Sequence, residues 1–294
     1  MAEPRYASAR AFRQAMEARL QDRAREGGLV LQRIRRQVSF DRLLARMFAS
    51  PEEAGWVLKG GYALELRFQS ARSTKDVDLT MRSGVVVAVT PETQRDALRK
   101  HLQQAASLRL PDFFEFLIRP ATLDLEGAPD GGFRFPVEAL MDGRTFTRFH
   151  VDIGIGDDIS EPADVLEGGD WLAFAGLPRP RFLAVSRERQ WAEKFHAYTR
   201  PRKDRLNSRA KDLIDLVLLA QSGDLAADRL WRCVHTTFKQ RQTHPLPTPI
   251  PNPPAQWAPV FSALAAEVGI DPDMATAYRT VSDCWSRIQD TFAT

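Results

Sequence analysis

The sequence predicts an α/β (α+β) chain with a small mixed-sheet core, helices before it and a helical domain after it. Three observations lead there. Residues 51–160 alternate between short strand-like apolar runs and helix-like patterns. Residues from about 7 to 49 carry intermittent apolar positions at helical spacing, and beyond Gly168-Gly169 the patterns turn mainly helical. The expected divisions are N-terminal helices over residues 1–50, the sheet-containing core over 51–170, and the helical domain over 171–294.

Taken in order, Phe12, Met16, Leu20, Leu29, Leu31 and Ile34 supply the core contacts of the first helical region, which Gly27-Gly28 breaks in two. Trp56-Val57-Leu58 reads as a short apolar strand or helix end. Tyr62–Phe68 reads as a helix that buries Ala63, Leu64, Leu66 and Phe68. Lys75–Met81 has the period of a strand. Pro91–Leu108 is a polar-faced helix with Pro91 well placed near its start. Phe113–Arg119 and Arg144–Ile155 are two further strands. Leu183-Ala184-Val185 leads into a helix over Ser186–Tyr198 with Ser186 as its cap. A basic loop, Thr199–Asn207, follows, and Ser208 caps a helix over Ala210–Gln221. Helices are also expected at Ala226–Lys239, Gln256–Val268 and Pro272–Phe292. Between them, six prolines in the ten residues Pro245–Pro254 exclude helix and central strand and predict an extended surface connection.

Composition narrows the class. In 294 residues, 44% are hydrophobic, enough for a packed core and against wholesale disorder. The net charge is only +3, but the bases are clustered: nine arginines against four acids in Met1–Arg36, and ten Lys/Arg against three acids in Arg181–Lys211. A solvated helix face accounts for either run, and a polyanion such as RNA suits both. Cys233 and Cys284 lack partners at metal-ligand spacing and read as buried thiols. The N-terminus has no signal-peptide pattern, and the longest apolar runs, Val85–Val89 and Leu213–Ala220, are far too short for a bilayer. A cytoplasmic protein with no membrane partner is expected.

The chemistry concentrates in Lys59-Gly60-Gly61 and Arg72-Ser-Thr-Lys-Asp-Val-Asp-Leu79. On a strand, Asp76, Asp78 and Thr80 share one face, while Val77, Leu79 and Met81 take the core side. Two carboxylates two residues apart lie roughly 6.5–7 Å apart. They can reach a metal pair roughly 3.5–4 Å apart, as phosphoryl-transfer sites require. Like charges this close repel unless a cation offsets them. Gly60 and Gly61 open a helix, where bare backbone and N–H donors accept a phosphate, and Ser73 and Thr74 offer hydroxyls beside it. In Phe149–Ile155, His150 and Asp152 point away from the apolar side, so Asp152 becomes a third acid if this strand lies beside the first. Asp157 and Asp158 read as loop residues and His150 as structural. Lys194 falls between Trp191 and Tyr198 on one helix stripe, where it is either a snorkelling surface lysine or a charge for a triphosphate. Asp212 and Asp215 lie on an almost wholly apolar helix and need partners, for which Arg209 and Lys194 are placed. An ion-pair network and an active-site wall both fit them.

Together these segments resemble the AbiEii/AbiGii-type toxin nucleotidyltransferases, including the MenT-type toxins, of the polymerase-β-like nucleotidyltransferase superfamily. The matching pieces are Leu58-Lys-Gly-Gly-Tyr-Ala-Leu64, Ser73-Thr-Lys-Asp-Val-Asp-Leu79, Val151-Asp-Ile-Gly154, Trp191-Ala-Glu-Lys-Phe-His196 and Ser208-Arg-Ala-Lys-Asp-Leu-Ile-Asp215. They span roughly residues 57–220 in the family's order. The pattern departs where many superfamily members have Gly-Ser and this chain has Gly60-Gly61.

The resemblance implies a nucleotidyltransferase core and the toxin of a toxin–antitoxin pair, with a cognate antitoxin as partner. It implies Mg²⁺-dependent transfer from a nucleoside triphosphate, with Mn²⁺ as a possible replacement. The implied acceptor is the 3′ end of tRNA, the nucleotides pyrimidine, and the outcome blocked aminoacylation and translation. It makes Asp76 and Asp78 metal ligands, Lys194 the triphosphate lysine, Asp212 a catalytic acid and Asp152 a third acid at the metal. Arg200, Arg202, Lys203, Arg205 and Arg209 are the expected guides for RNA. Two alternatives stay open: transfer to a protein or small-molecule hydroxyl, and a non-catalytic RNA- or partner-binding module.

Overall fold

The computed structural model describes residues 6–50, 54–68, 71–82, 90–125, 127–201, 209–223 and 225–292. The Val85–Val89 run, the Ser208 cap and the expected RNA guides Arg202, Lys203 and Arg205 lie outside them. Contacts divide the chain into two compact units: residues 1–66, 73–157 and 163–184, and residues 67–72, 158–162 and 185–294. This differs from the three-part expectation, because the N-terminal helices and residues 171–184 belong to the first unit.

In the first unit, α1 (Ala9–Glu26) starts where the Ser8 hydroxyl accepts the Ala11 N–H. The helix ends at Gly27, and Gly28 then takes a φ of 61°, a turn that costs glycine little. Phe12, Met16 and Leu20 face inward as expected, whereas Leu29 is exposed in the turn. α2 (Leu31–Met47) is buried along most of its length, and its buried Asp41, Arg42 and Arg46 side chains all have partners. Arg42 and Arg46 both bond Asp112, at 2.6 and 2.7 Å. Asp41 accepts from the Tyr62 hydroxyl at 2.6 Å, and from the Gly169 N–H and the Trp171 indole at 2.7 Å each. Burial nevertheless pushes its carboxyl up to about 6.

The chain continues through β1 (Trp56–Lys59), α3 (Gly60–Arg67), β2 (Asp76–Met81) and α4 (Pro91–Ala106). Thr90 closes a capping box at the start of α4, with Pro91 in its first turn. Then come β3 (Glu115–Ile118), β4 (Leu123–Asp124), β5 (Gly132–Met141), β6 (Arg144–Gly154), β7 (Asp164–Glu167) and β8 (Arg181–Ala184).

Among the described residues these strands make one mixed sheet, ordered β3-β5-β6-β2-β1-β8-β7, with β4 also on β5. β2–β6 and β1–β8 are parallel and the other pairs antiparallel. Val77 and Leu79 pair with Val151 and Ile153 on the core side, and all four are buried. Phe40 of α2 packs there against Phe149, ring centroids 4.9 Å apart.

The sheet is larger than expected. No strand is expected from the sequence over Gly132–Met141, where β5 runs through a glycine and a proline that strand interiors tolerate poorly. Pro136 is tolerated because its carbonyl, which accepts the Arg119 N–H, points toward the gap where β3 has ended and β4 not yet begun. In an antiparallel strand its nitrogen faces the same way, so no ladder donor is lost. Asp142 and Gly143, at φ 54° and 65°, then turn the chain into β6.

The second unit holds α5 (Arg187–Thr199), α6 (Ala210–Gln221), α7 (Ala227–Arg241), α8 (Ala258–Val268) and α9 (Met274–Phe292). Ser186 caps α5 by accepting the Arg189 N–H, as its position predicts. Trp191, Phe195 and Trp285 form the aromatic centre of this unit. The proline-rich stretch is extended but tied down: Tyr198 and Tyr278 hydroxyls donate to the Pro251 and Ile250 carbonyls, and Ile250 is buried. No helix among the described residues is long and apolar enough to cross a membrane.

Candidate active site

The sheet register builds the site in the first unit. Lys59 stands opposite Asp78, Asp78 opposite Asp152, and Asp152 opposite Arg134. Residues paired across a sheet share a face. A row of base, acid, acid, base therefore crosses β1, β2, β6 and β5, and Asp76 lies one pleat along on the same side. Asp76 and Asp78 are half-buried, and Asp152 is buried. The strand carrying Asp152 is thus the in-register neighbour of the Asp76–Asp78 strand.

Arg134 holds the acids together. Its Nε donates to Asp152 Oδ1 at 2.7 Å, and its Nη2 to Asp152 Oδ2 at 2.6 Å and to Asp76 Oδ2 at 3.0 Å. The hydrogen bonding to Asp152 keeps the guanidinium more firmly protonated than an ordinary arginine. Sequence reasoning missed this residue because it missed β5. The signal is the apolar residues Phe133, Phe135, Val137, Ala139 and Met141 recurring at every second position, with Arg134 and Glu138 between them, ahead of an Asp142-Gly143 turn. At the other end of the row, Lys59 pairs with Asp157. A Cβ at Gly154 would lie 2.9 Å from the Lys59 ammonium and 3.0 Å from the Asp157 carboxylate, so a side chain there would shift that pair.

The glycines fit the acids closely. Gly60 has a φ of 67° and opens α3, and any Cβ on it would overlap the Asp78 carboxylate. A Cβ on Gly61 would lie 2.8 Å from the Thr74 hydroxyl. That hydroxyl donates to Asp76 Oδ1 at 3.1 Å, and the Thr74 N–H donates to Glu65. Helix start, hydroxyl and both carboxylates are thereby gathered at one end of β2. Ser73 adjoins Thr74 in the chain and is itself part-buried.

Among the described residues, no three His, Cys, Asp or Glu side chains are grouped as a metal centre. Asp76 and Asp78 still fit a divalent cation. Their hard oxygens face one side, bare backbone borders them, and a cation, the Arg134 guanidinium, already lies on Asp76. Asp152 has both oxygens engaged by Arg134.

The second unit carries its own ionic cluster. Lys194 lies 2.8 Å from Asp215 and 3.3 Å from Asp212. Arg72 forks Asp215 at 2.7 and 2.9 Å, and Arg209 reaches Asp212 at 3.2 Å. Both carboxylates are buried. Burial opposes the charge on Lys194, but Asp215 and Asp212 outweigh it and hold its pKa above the ordinary lysine value. Burial likewise pushes Asp215 up, while Lys194 and Arg72 carry it below the usual carboxylate range. Lys194 and Arg209 are the partners expected for these acids; Arg72, so distant in sequence, was not foreseen. Arg200 ends α5 and is partly exposed.

The family model described as nucleotidyl transferase AbiEii toxin, type IV toxin–antitoxin system, matches residues 42–282. No curated protein sequence matches the chain. Among solved structures, MenT4, a nucleotidyltransferase toxin from Mycobacterium tuberculosis, is similar in fold, with a TM-score of 0.54 at 16% identity. The similarity covers 94% of this chain and 98% of that one. JHP933 from Helicobacter pylori aligns with a TM-score of 0.44 at 16% identity, over 88% of this chain and 97% of the other.

Proposed function

The chain belongs to the AbiEii toxin nucleotidyltransferase family, and from that premise we propose that it transfers a nucleoside monophosphate from a triphosphate to the 3′ end of tRNA. The pyrimidine nucleotides are the expected donors. The observation that carries the reading is the meeting of the α3 start at Gly60 with the Asp76–Asp78 face.

Asp76 and Asp78 would hold Mg²⁺, which when bound neutralises triphosphate charge and polarises the reacting phosphorus. Gly60 and Gly61 leave backbone room for the phosphates, and Ser73 and Thr74 line the same approach. A ribose hydroxyl of the acceptor gives its proton to solvent and attacks the α-phosphorus, the bond from that phosphorus to the bridging oxygen of the β-phosphate breaks, and pyrophosphate leaves with the electron pair. For Lys194 and Asp212 the family resemblance supplies the roles: Lys194 offsets charge on the triphosphate, and Asp212 with Asp215 fixes its ammonium. Arg200 and Arg209 are proposed to guide RNA.

The test is incubation of purified protein with total RNA, Mg²⁺ and each labelled ribonucleoside triphosphate in turn. Label is expected on tRNA from CTP or UTP. No label with any of the four, while circular dichroism reports an intact fold, overturns the tRNA reading. Label on protein instead of RNA selects a protein hydroxyl as acceptor.

A further inference from the structure

We propose that Arg134 is a phosphate-binding residue of this site, and that Asp152 serves to position it. The inference rests on the metal–triphosphate reading of Asp76 and Asp78. Arg134 grips Asp152 side-on through Nε and Nη2, at 2.7 and 2.6 Å. A planar guanidinium held along that edge directs Nη1 away from the carboxylate. Nη1 makes no hydrogen bond among the described residues, and the side chain is 30% exposed. The same guanidinium touches Asp76 at 3.0 Å, so its unused N–H donors border the carboxylates that face the triphosphate.

The charges assign the parts. Asp152 has both oxygens satisfied and holds a base whose fork needs no rearrangement. Asp76 gives Arg134 one longer contact, which a metal at Asp76 replaces without loosening the grip of Asp152. An arginine so fixed suits a phosphate oxygen better than a free lysine does, because little further order is lost on binding.

Two binding measurements test this. In the first, non-hydrolysable analogues of the four ribonucleoside triphosphates are titrated with Mg²⁺ into wild type, Arg134→Ala, Arg134→Lys and Asp152→Asn. In the second, Mn²⁺ alone is titrated into the same proteins. Arg134→Ala is expected to weaken nucleotide binding about 10- to 100-fold, the worth of a charged hydrogen bond. Arg134→Lys keeps the charge without the fork and falls between. Asp152→Asn, with Arg134 present but loosely held, loses about tenfold. Mn²⁺ binding to Arg134→Ala stays equal or tightens, since a competing cation is gone. Nucleotide affinity within twofold of wild type in Arg134→Ala overturns the proposal. So does a parallel loss of Mn²⁺ binding, which makes the arginine a support of the metal face. If wild type binds none of the nucleotides, the triphosphate reading falls along with it; if only the variants match wild type, the Arg134 inference falls alone.

Discussion

Asp76 and Asp215 are both carboxylates touched by an arginine, in surroundings that share little else. The Asp215 side chain is fully buried and meets Arg72 and Lys194, and its neighbour Asp212 meets Lys194 and Arg209. Each acid there has a base at hand. The Asp76 side chain is 30% exposed on a sheet face that also carries Asp78 and Asp152. Buried charge without a partner is so costly that the first cluster must balance internally. An open face can carry acids side by side, because water and cations offset their repulsion. The closed cluster therefore balances within itself, whereas the open face is the one that water or a further cation can reach.

The largest effect expected from breaking this contrast is on the open side. Asp78→Ala should lower nucleotide transfer by at least about 100- to 1,000-fold, the cost of removing a group that stabilises transition-state charge. Its melting temperature should stay within about 2–4 °C of wild type, since no core side chain is lost. Asp215→Ala should do the reverse in kind. Removing it takes the nearer carboxylate from Lys194 and the forked partner from Arg72, and urea unfolding should report a loss of about 3–5 kcal/mol. If Asp215→Ala unfolds like wild type, the closed cluster is not structural.

Gly60→Ala sits between the two. The methyl group collides with the Asp78 carboxylate and the backbone is in the left-handed region, so stability should fall by about 1–2 kcal/mol and activity with it. Thermal melts beside transfer assays check both.

The smallest effect concerns pH. The Asp41 carboxyl is raised to about 6 in the fold, from an ordinary value of 3.8. A raised acid favours the folded state fully below the unfolded value, and that contribution is lost as pH rises through about 6. Melting temperature should thus carry a downward component of a few degrees between pH 5 and 7. Asp41→Asn should flatten that component, whatever it does to the absolute value. An unchanged slope would mean that Asp41 titrates normally.

Much of this was legible in the sequence, for physical reasons. β2 and β6 announce themselves because one face is core and the other polar, so their side chains alternate. Ser186 and Pro91 mark helix starts because the first backbone donors need a partner or a residue without one. β5 was hidden because glycine and proline read as punctuation, although Pro136 sits where the ladder asks nothing of its nitrogen. With β5 went Arg134, the base that binds the acids together. Arg72 was hidden differently: it stands in the quoted motif, but nothing local says that it reaches a helix 143 residues on.

The fit between Gly61 and Thr74 has one more consequence. A side chain at 61 and the threonine hydroxyl would compete for the same space. A side chain at 61 can enter only if Thr74 shifts or is replaced by a smaller residue. The two positions therefore form a single unit of substitution, in which one hydroxyl group can be supplied from either α3 or the segment before β2.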